Sequence, residues 1–168
     1  MCAKLQPDFA FALGRHRDMA EEARFLIESH IPFAIEKPCA FDAAEAQDIA
    51  HRAAAARVFA AVPLVMRYCP LIETIQEVAA GERIHYLSFK FVGGMVDRYH
   101  QQKVAWVIDR AISGGGPLLN LGIHHVDLCR VLLGNADLAV TGAMMSNRAA
   151  ALHQHDRVIL DGQAGRAV

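Results

Sequence analysis

Most of the features that would point directly to a function are scarce or missing from this 168-residue chain. Its 17 Lys and Arg are balanced by 18 Asp and Glu, for a net charge of −1, so no basic surface is on offer to nucleic acid or an acidic membrane. No uninterrupted apolar run approaches the roughly 20 residues of a helical membrane span. The four cysteines, Cys2, Cys39, Cys69 and Cys129, stand far apart with no C-x-x-C pair, which excludes the usual disulfide and zinc patterns. Free thiols in a reducing cytoplasm are the expectation. The opening "MCAKLQPDFA" has no apolar core of a secretory signal, in keeping with a cytoplasmic location. Neither nucleotide-binding glycine pattern occurs: no G-x-G-x-x-G, and no Lys-Ser/Thr pair after a glycine loop.

What is present is a core. The chain is 54% hydrophobic and 21% charged, enough for one ordinary domain or one and a half. "FAFALG" (9–14) reads as a buried strand. "RDMAEEARFLIES" (17–29) reads as a helix, with Ala20, Ala23, Phe25, Leu26 and Ile27 mostly on one side and Asp18 and Glu21 as a capping box. "IPFAIEKP" (31–38) is a second strand that breaks into charge at Glu36 and Lys37. A second helix follows over 41–56, capped by Asp42 with Glu45 in the capping-box position, and a third strand lies within 57–70. Strand and helix alternating at short spacing predict a parallel sheet with right-handed crossovers. Ligands bind beyond the C-terminal strand ends of such sheets, and Glu36 and Lys37 lie at one.

The character changes near Cys69–Pro70, the expected domain boundary. "LIETIQEVAAGE" predicts a helix closed by Gly81, and "RIHYLSFKFV" (83–92) alternates like a half-exposed antiparallel strand. "GGMVDRYHQQK" (93–103) reads as a loop and "VAWVIDRAIS" (104–113) as a short helix or turn. Strands are expected over 137–146 and 156–168, with a turn at Asp161–Gly162 or near Gly165. The stretch 147–155 is ambiguous. The chain reads as the middle of something larger, with short sheets at both ends.

The candidate chemistry lies in "GGGPLLNLGIHHVDLCRVLLG" (114–134) and in "EKP" (36–38). Three glycines before a helix suggest a phosphate cradle, but a flexible turn with Pro117 at the first helical position is the better reading. His124, His125 and Asp127 suggest a metal. His124 and Asp127 share a helical face while His125 points about 100° away, so a metal site is not expected and a metal-dependent hydrolase is a distant alternative. Asn120 and His124, one turn apart, could orient a substrate and move a proton near neutral pH, with Gly122 leaving room between them. A helical histidine is, on residue type alone, more often structural. Pro38 restricts Lys37 to an extended backbone and is compatible with a cis bond, so Lys37 has a defined direction. Arg67, in "MRYCP", is a similar strand-end cation, as readily structural as substrate-binding.

Together these segments resemble the Gfo/Idh/MocA family of NAD(P)-dependent oxidoreductases. "DFAFALGRHRDMAEEA", "IPFAIEKPCAFDAAEA", "RYCP" and "VAWVIDRAISGGGPLLNLGIHHVDLCRVLLG" carry the likeness, which covers most of the chain. The resemblance implies an α/β and α+β fold: the C-terminal part of a Rossmann parallel sheet (1–69) followed by part of a mostly antiparallel open-sheet substrate and catalytic domain (70–168). It implies hydride transfer between NAD or NADP and a sugar, polyol or related small molecule, and a sheet that can serve as the interface of a homo-oligomer. By carry-over, Glu36, Lys37 and Pro38 lie at the cofactor; Lys37, His124 and Asn120 are the catalytic group; and Arg67, Asn120 and His124 meet substrate. Asn120 stands where many members have Asp. The loop 93–103 contributes to specificity. The family's glycine-rich first unit is absent, so the chain is expected to bind NAD(P) poorly by itself. A non-enzymatic remnant or interaction module with the same fold is the competing reading.

Overall fold

The computed structural model describes residues 7–82, 84–91, 97–116, 118–134, 137–146 and 155–161. Pro117, Cys2, residues 147–154 and the Gly162 and Gly165 turn lie outside the described residues, as does most of the first part of the expected 93–103 loop. Within the described residues no helix is long and apolar enough to cross a membrane.

The chain divides into two compact units: Met1–Pro63 with Asp109–Gly114, and Leu64–Ile108 with Gly115–Val168. The division falls a few residues before the change in sequence character at Cys69–Pro70, and a short later segment returns to the first unit.

In the first unit, β1 (Ala10–Ala12), α1 (Met19–Glu28), β2 (Phe33–Ile35), α2 (Ala43–Ala56) and β3 (Ala60–Ala61) alternate as the pattern requires. The three strands are parallel in the order β1-β2-β3, with Ala10 opposite Phe33 and Ala34 opposite Ala61. Residues of one parity, Ala12, Phe33 and Ile35, are buried together with Met19, Ala23 and Ile49 of the two helices. α1 buries Met19, Ala20, Ala23, Leu26 and Ile27. Phe25 is not part of that face: it is 47% exposed, because the five buried positions at helical spacing leave it on the flank.

The two predicted caps differ in outcome. Asp42 accepts from the Glu45 amide at 2.8 Å, and the Glu45 carboxylate reaches back to the Phe41 amide at 3.1 Å. That is a capping box displaced by one residue at its return bond. Asp18 makes no side-chain cap. Its backbone is already helical, and its carboxylate is taken by Arg15 at 3.1 Å and Arg17 at 3.4 Å instead.

In the second unit a 3₁₀ turn (Val65–Tyr68) leads into α3 (Pro70–Val78), which ends before Gly81; that glycine sits at φ +81° in the following turn. Residues 84–91 form no strand. A strand needs a paired backbone, and among the described residues this segment has no ladder partner. Its apolar side chains pack instead, Ile84 and Leu87 against the cluster of Ile72, Leu128 and Leu132. The expected loop after it contains a short helix, α4 (Asp97–Gln101). A 3₁₀ turn (Ala105–Ile108) precedes α5 (Arg110–Ser113), the piece that belongs to the first unit. A π-helical turn (Leu118–Gly122) then opens α6 (Ile123–Leu132). Two antiparallel strands close the described chain, β4 (Ala139–Ser146) and β5 (His155–Asp161), with Ala139 opposite Asp161 and an irregularity between Val140 and Gly142.

Candidate active site

Because the first unit's strands are parallel, their C-terminal ends share one edge. β1 runs out into Leu13-Gly14-Arg15-His16 and β2 into Glu36-Lys37-Pro38; the Glu36 amide bonds the Ala12 carbonyl at 3.0 Å and joins the two exits. The Lys37–Pro38 peptide is cis. The Lys37 side chain is only 11% exposed, and its ammonium lies 3.6 Å from the Glu36 carboxylate, which is far more open to water. A lysine so withdrawn is unusual and calls for a reason. So Glu36, Lys37 and Pro38 stand together at the strand-end position where the sequence put them.

His16 was not picked out by sequence reasoning, although the same strand-end argument that selected Lys37 reaches it. It is 5% exposed, and its Nδ1 donates to the Ser113 carbonyl at 2.9 Å. A carbonyl only accepts, so Nδ1 carries the proton. Burial holds its pKa below the ordinary 6.5, opposed by the Ser113 bond; the positive charge of Lys37 lowers it further and the negative charge of Glu36 raises it. At the same edge Gly14 lies beneath Glu22, where an added Cβ would collide with the carboxylate. Burial and the Asp18 charge raise the Glu22 pKa, while the Gly14 amide opposes this.

The second unit holds Arg67, Asn120 and His124. Along α6 the buried positions are His124, Asp127, Leu128 and Leu132, one stripe at helical spacing. His124 and Asp127 thus share a face, as their spacing requires. His125 does not; its ring rests 5.3 Å from that of Phe89 and 5.8 Å from that of Phe91. Asn120 precedes α6 inside the π-helical turn and is half-buried. That turn is wider than a regular α-helical one. Such turns recur at functional sites. The glycines of this stretch have local work: Gly114 closes α5 at φ +77°, Gly115 lies where a Cβ would come within 3.2 Å of Leu119, and Gly122 lies where one would come within 2.6 Å of Leu118.

Arg67 grips Asp127 with two parallel bonds, Nε to Oδ2 at 2.6 Å and Nη2 to Oδ1. Neither residue had been paired with the other in sequence. The bond to Asp127 raises the Arg67 pKa. This fork fastens the 3₁₀ turn to α6, and the guanidinium expected at substrate is occupied by a protein carboxylate. Among the described residues no group of three or more His, Cys, Asp or Glu is gathered as metal ligands.

Residues 73–168 match the sequence profile described as the GFO/IDH/MocA C-terminal domain. The chain belongs to the Gfo/Idh/MocA family. Solved structures of the same fold include GenD2 from gentamicin A biosynthesis in complex with NAD, at 23% identity and TM-score 0.80, covering 98% of this chain and 47% of that one. An inositol dehydrogenase homolog from Azotobacter vinelandii, complexed with NAD+, aligns at 18% identity and TM-score 0.79 over 95% of this chain and 43% of its own. The WlbA dehydrogenase from Bordetella pertussis, in complex with NADH and UDP-GlcNAcA, aligns at 18% identity and TM-score 0.84 over 99% and 48%. The Gfo/Idh/MocA chain described here therefore spans less than half the length of these structures. No curated protein matches it in sequence.

Proposed function

We propose that this chain carries the lysine- and histidine-bearing part of an NAD(P)-dependent oxidoreductase that moves hydride between nicotinamide and the hydroxyl- or carbonyl-bearing carbon of a sugar or polyol. The observation that carries this reading is Lys37: a nearly buried ammonium at the C-terminal edge of a parallel sheet, in a chain of this family. Bound nicotinamide would supply the hydride acceptor or donor. Glu36, Lys37 and Pro38 fit its nicotinamide end, where a fixed cation and a closed strand exit are in place. For the pyrophosphate end the sequence offers no G-x-G-x-x-G pattern.

The protein's own chemistry follows from residue type. Oxidising an alcohol requires loss of its hydroxyl proton; His124 takes that proton, and Lys37 stabilises alkoxide character in the reacting oxygen. Asn120, neutral, donates and accepts hydrogen bonds to orient substrate. Arg67 acts by holding Asp127, and through it α6, in place. The free thiols Cys39, Cys69 and Cys129 suit the cytoplasm, and the β4–β5 sheet suits a homo-oligomer interface, which light scattering would report.

Calorimetry with NAD(H) and NADP(H) tests the reading, on the chain alone and with an added polypeptide bearing a glycine-rich βαβ unit. Binding should be weak alone and strengthen on addition. Polyol oxidation should then fall by about 10²–10⁴-fold in His124→Ala while nucleotide binding persists. A folded chain that binds no nucleotide under either condition would favour the interaction-module reading instead.

A further inference from the structure

α5 is a helix of four residues, too short to hold itself together. Its start is capped: the Asp109 carboxylate accepts from the Ala111 amide at 2.9 Å. Its end has last-turn carbonyls that no helical amide reaches. Two of these are met from the exit of β1. The Arg17 amide donates to the Ile112 carbonyl at 3.0 Å, and His16 Nδ1 donates to the Ser113 carbonyl at 2.9 Å. Ser113 is 1% exposed and His16 5%, so this closure is shielded from water. Lys37 and Glu36, at the neighbouring strand exit, act on the His16 ring through their charges. One residue past the closure, Gly114 turns to φ +77°, and the chain goes on to Asn120 and His124.

We infer that His16 is a positioning residue: by donating from Nδ1 to the Ser113 carbonyl, it ties α5 to the sheet edge that carries Lys37 and fixes the C-terminal end of the segment that returns to the first unit. The ring serves this purpose as a neutral donor. A protonated imidazole there would place a second cation near Lys37. Its catalytic consequence rests on the reading of Lys37 and His124 given above; the tie itself does not, and the two can fail separately.

The first test uses the unaltered chain. Nitrogen-15 NMR of the histidine rings should show His16 protonated at Nδ1 and not at Nε2, the less common neutral tautomer. Protonation at Nε2 alone would overturn the proposal. The second test is amide exchange. An asparagine places its amide nitrogen near the position of Nδ1, whereas a glutamine reaches toward Nε2. In His16→Gln the Arg17, Ser113 and Gly114 amides should exchange roughly tenfold faster, with Ile49 and Ala53 in α2 unchanged. His16→Asn should restore the slow rates. A purely space-filling role predicts that Gln protects at least as well as Asn, and that result would also overturn it. If nucleotide-dependent activity is never found but both tests succeed, the tie stands and the reaction assigned to Lys37 and His124 falls.

Discussion

Asp127 is 7% exposed while the arginine that neutralises it is 43% exposed, and that asymmetry decides what each substitution does. Arg67→Ala leaves a buried carboxylate without its counter-ion. The expected cost is about 2 kcal/mol, below the 3–5 of a fully buried pair because water reaches the arginine side. Arg67→Lys keeps the charge but loses the two-pronged fork, so it should recover only part of that stability in urea unfolding. His16 has a different signature. Its folded pKa lies below the ordinary 6.5 because burial disfavours the charged ring. The unfolded chain therefore takes up the proton first as pH falls. The stability this residue contributes is complete above pH 6.5 and is lost as pH drops from there toward the lowered folded value. Thermal melts from pH 7.5 to 5 should show a steeper loss for the native chain than for His16→Asn; equal slopes would argue that His16 takes up its proton as easily in the fold as out of it.

At the scale of elements, α1 and α2 look alike in sequence, each with an aspartate three residues before a glutamate, yet their starts are held differently. α2 depends on Asp42, whose carboxylate satisfies the Glu45 amide. Asp42→Ala should destabilise the first unit by about 1 kcal/mol. Asp18 bonds only exposed arginines, so Asp18→Ala should cost less than about 0.5 kcal/mol. A chemical denaturation series on the two variants reads the contrast directly, and comparable losses would mean that Asp18 caps α1 in solution after all. α6 is organised by burial rather than by caps: the residue at its N-cap, Gly122, has no side chain to offer, and the helix is held by Asp127, Leu128 and Leu132.

At the scale of the whole molecule, the described residues of the first unit cover only one face of its sheet. Parallel sheets are ordinarily buried on both. α1 and α2 bury the face of Ala12, Phe33 and Ile35; on the opposite parity Phe9, Phe11, Leu13 and Phe59 are exposed, Phe11 by 73%. The Phe9 ring meets those of Phe11 and Phe59 at 5.2 and 6.3 Å, so these side chains form one aromatic patch. Such a patch favours association and dye binding. The isolated chain should self-associate and bind a hydrophobic dye, and Phe11→Ser should weaken both, as light scattering and dye fluorescence would report. No change in either would mean that the face is covered in solution.

Much of the local architecture was legible in sequence because its causes are local. Short apolar runs placed β1 and β2 and bracketed β3, helical spacing placed α1, α2 and α6, Asp42 marked a true cap, and the strand exit at Lys37 followed from the order of elements. The resemblance carried by "EKP" and the glycine–histidine segment identified the family before any geometry was known. What the sequence could not show were contacts between distant residues. His16 and Ser113 are 97 residues apart, Arg67 and Asp127 are 60 apart, and nothing in either neighbourhood names the other. The same holds for residues 84–91, whose alternation predicts a strand that only a partner could make. It holds too for Phe25, left off a face whose width the packing sets. Periodicity and capping act over a few residues and are written in the chain; pairing across a fold is decided only when burial forces a charge or a carbonyl to find the one partner within reach.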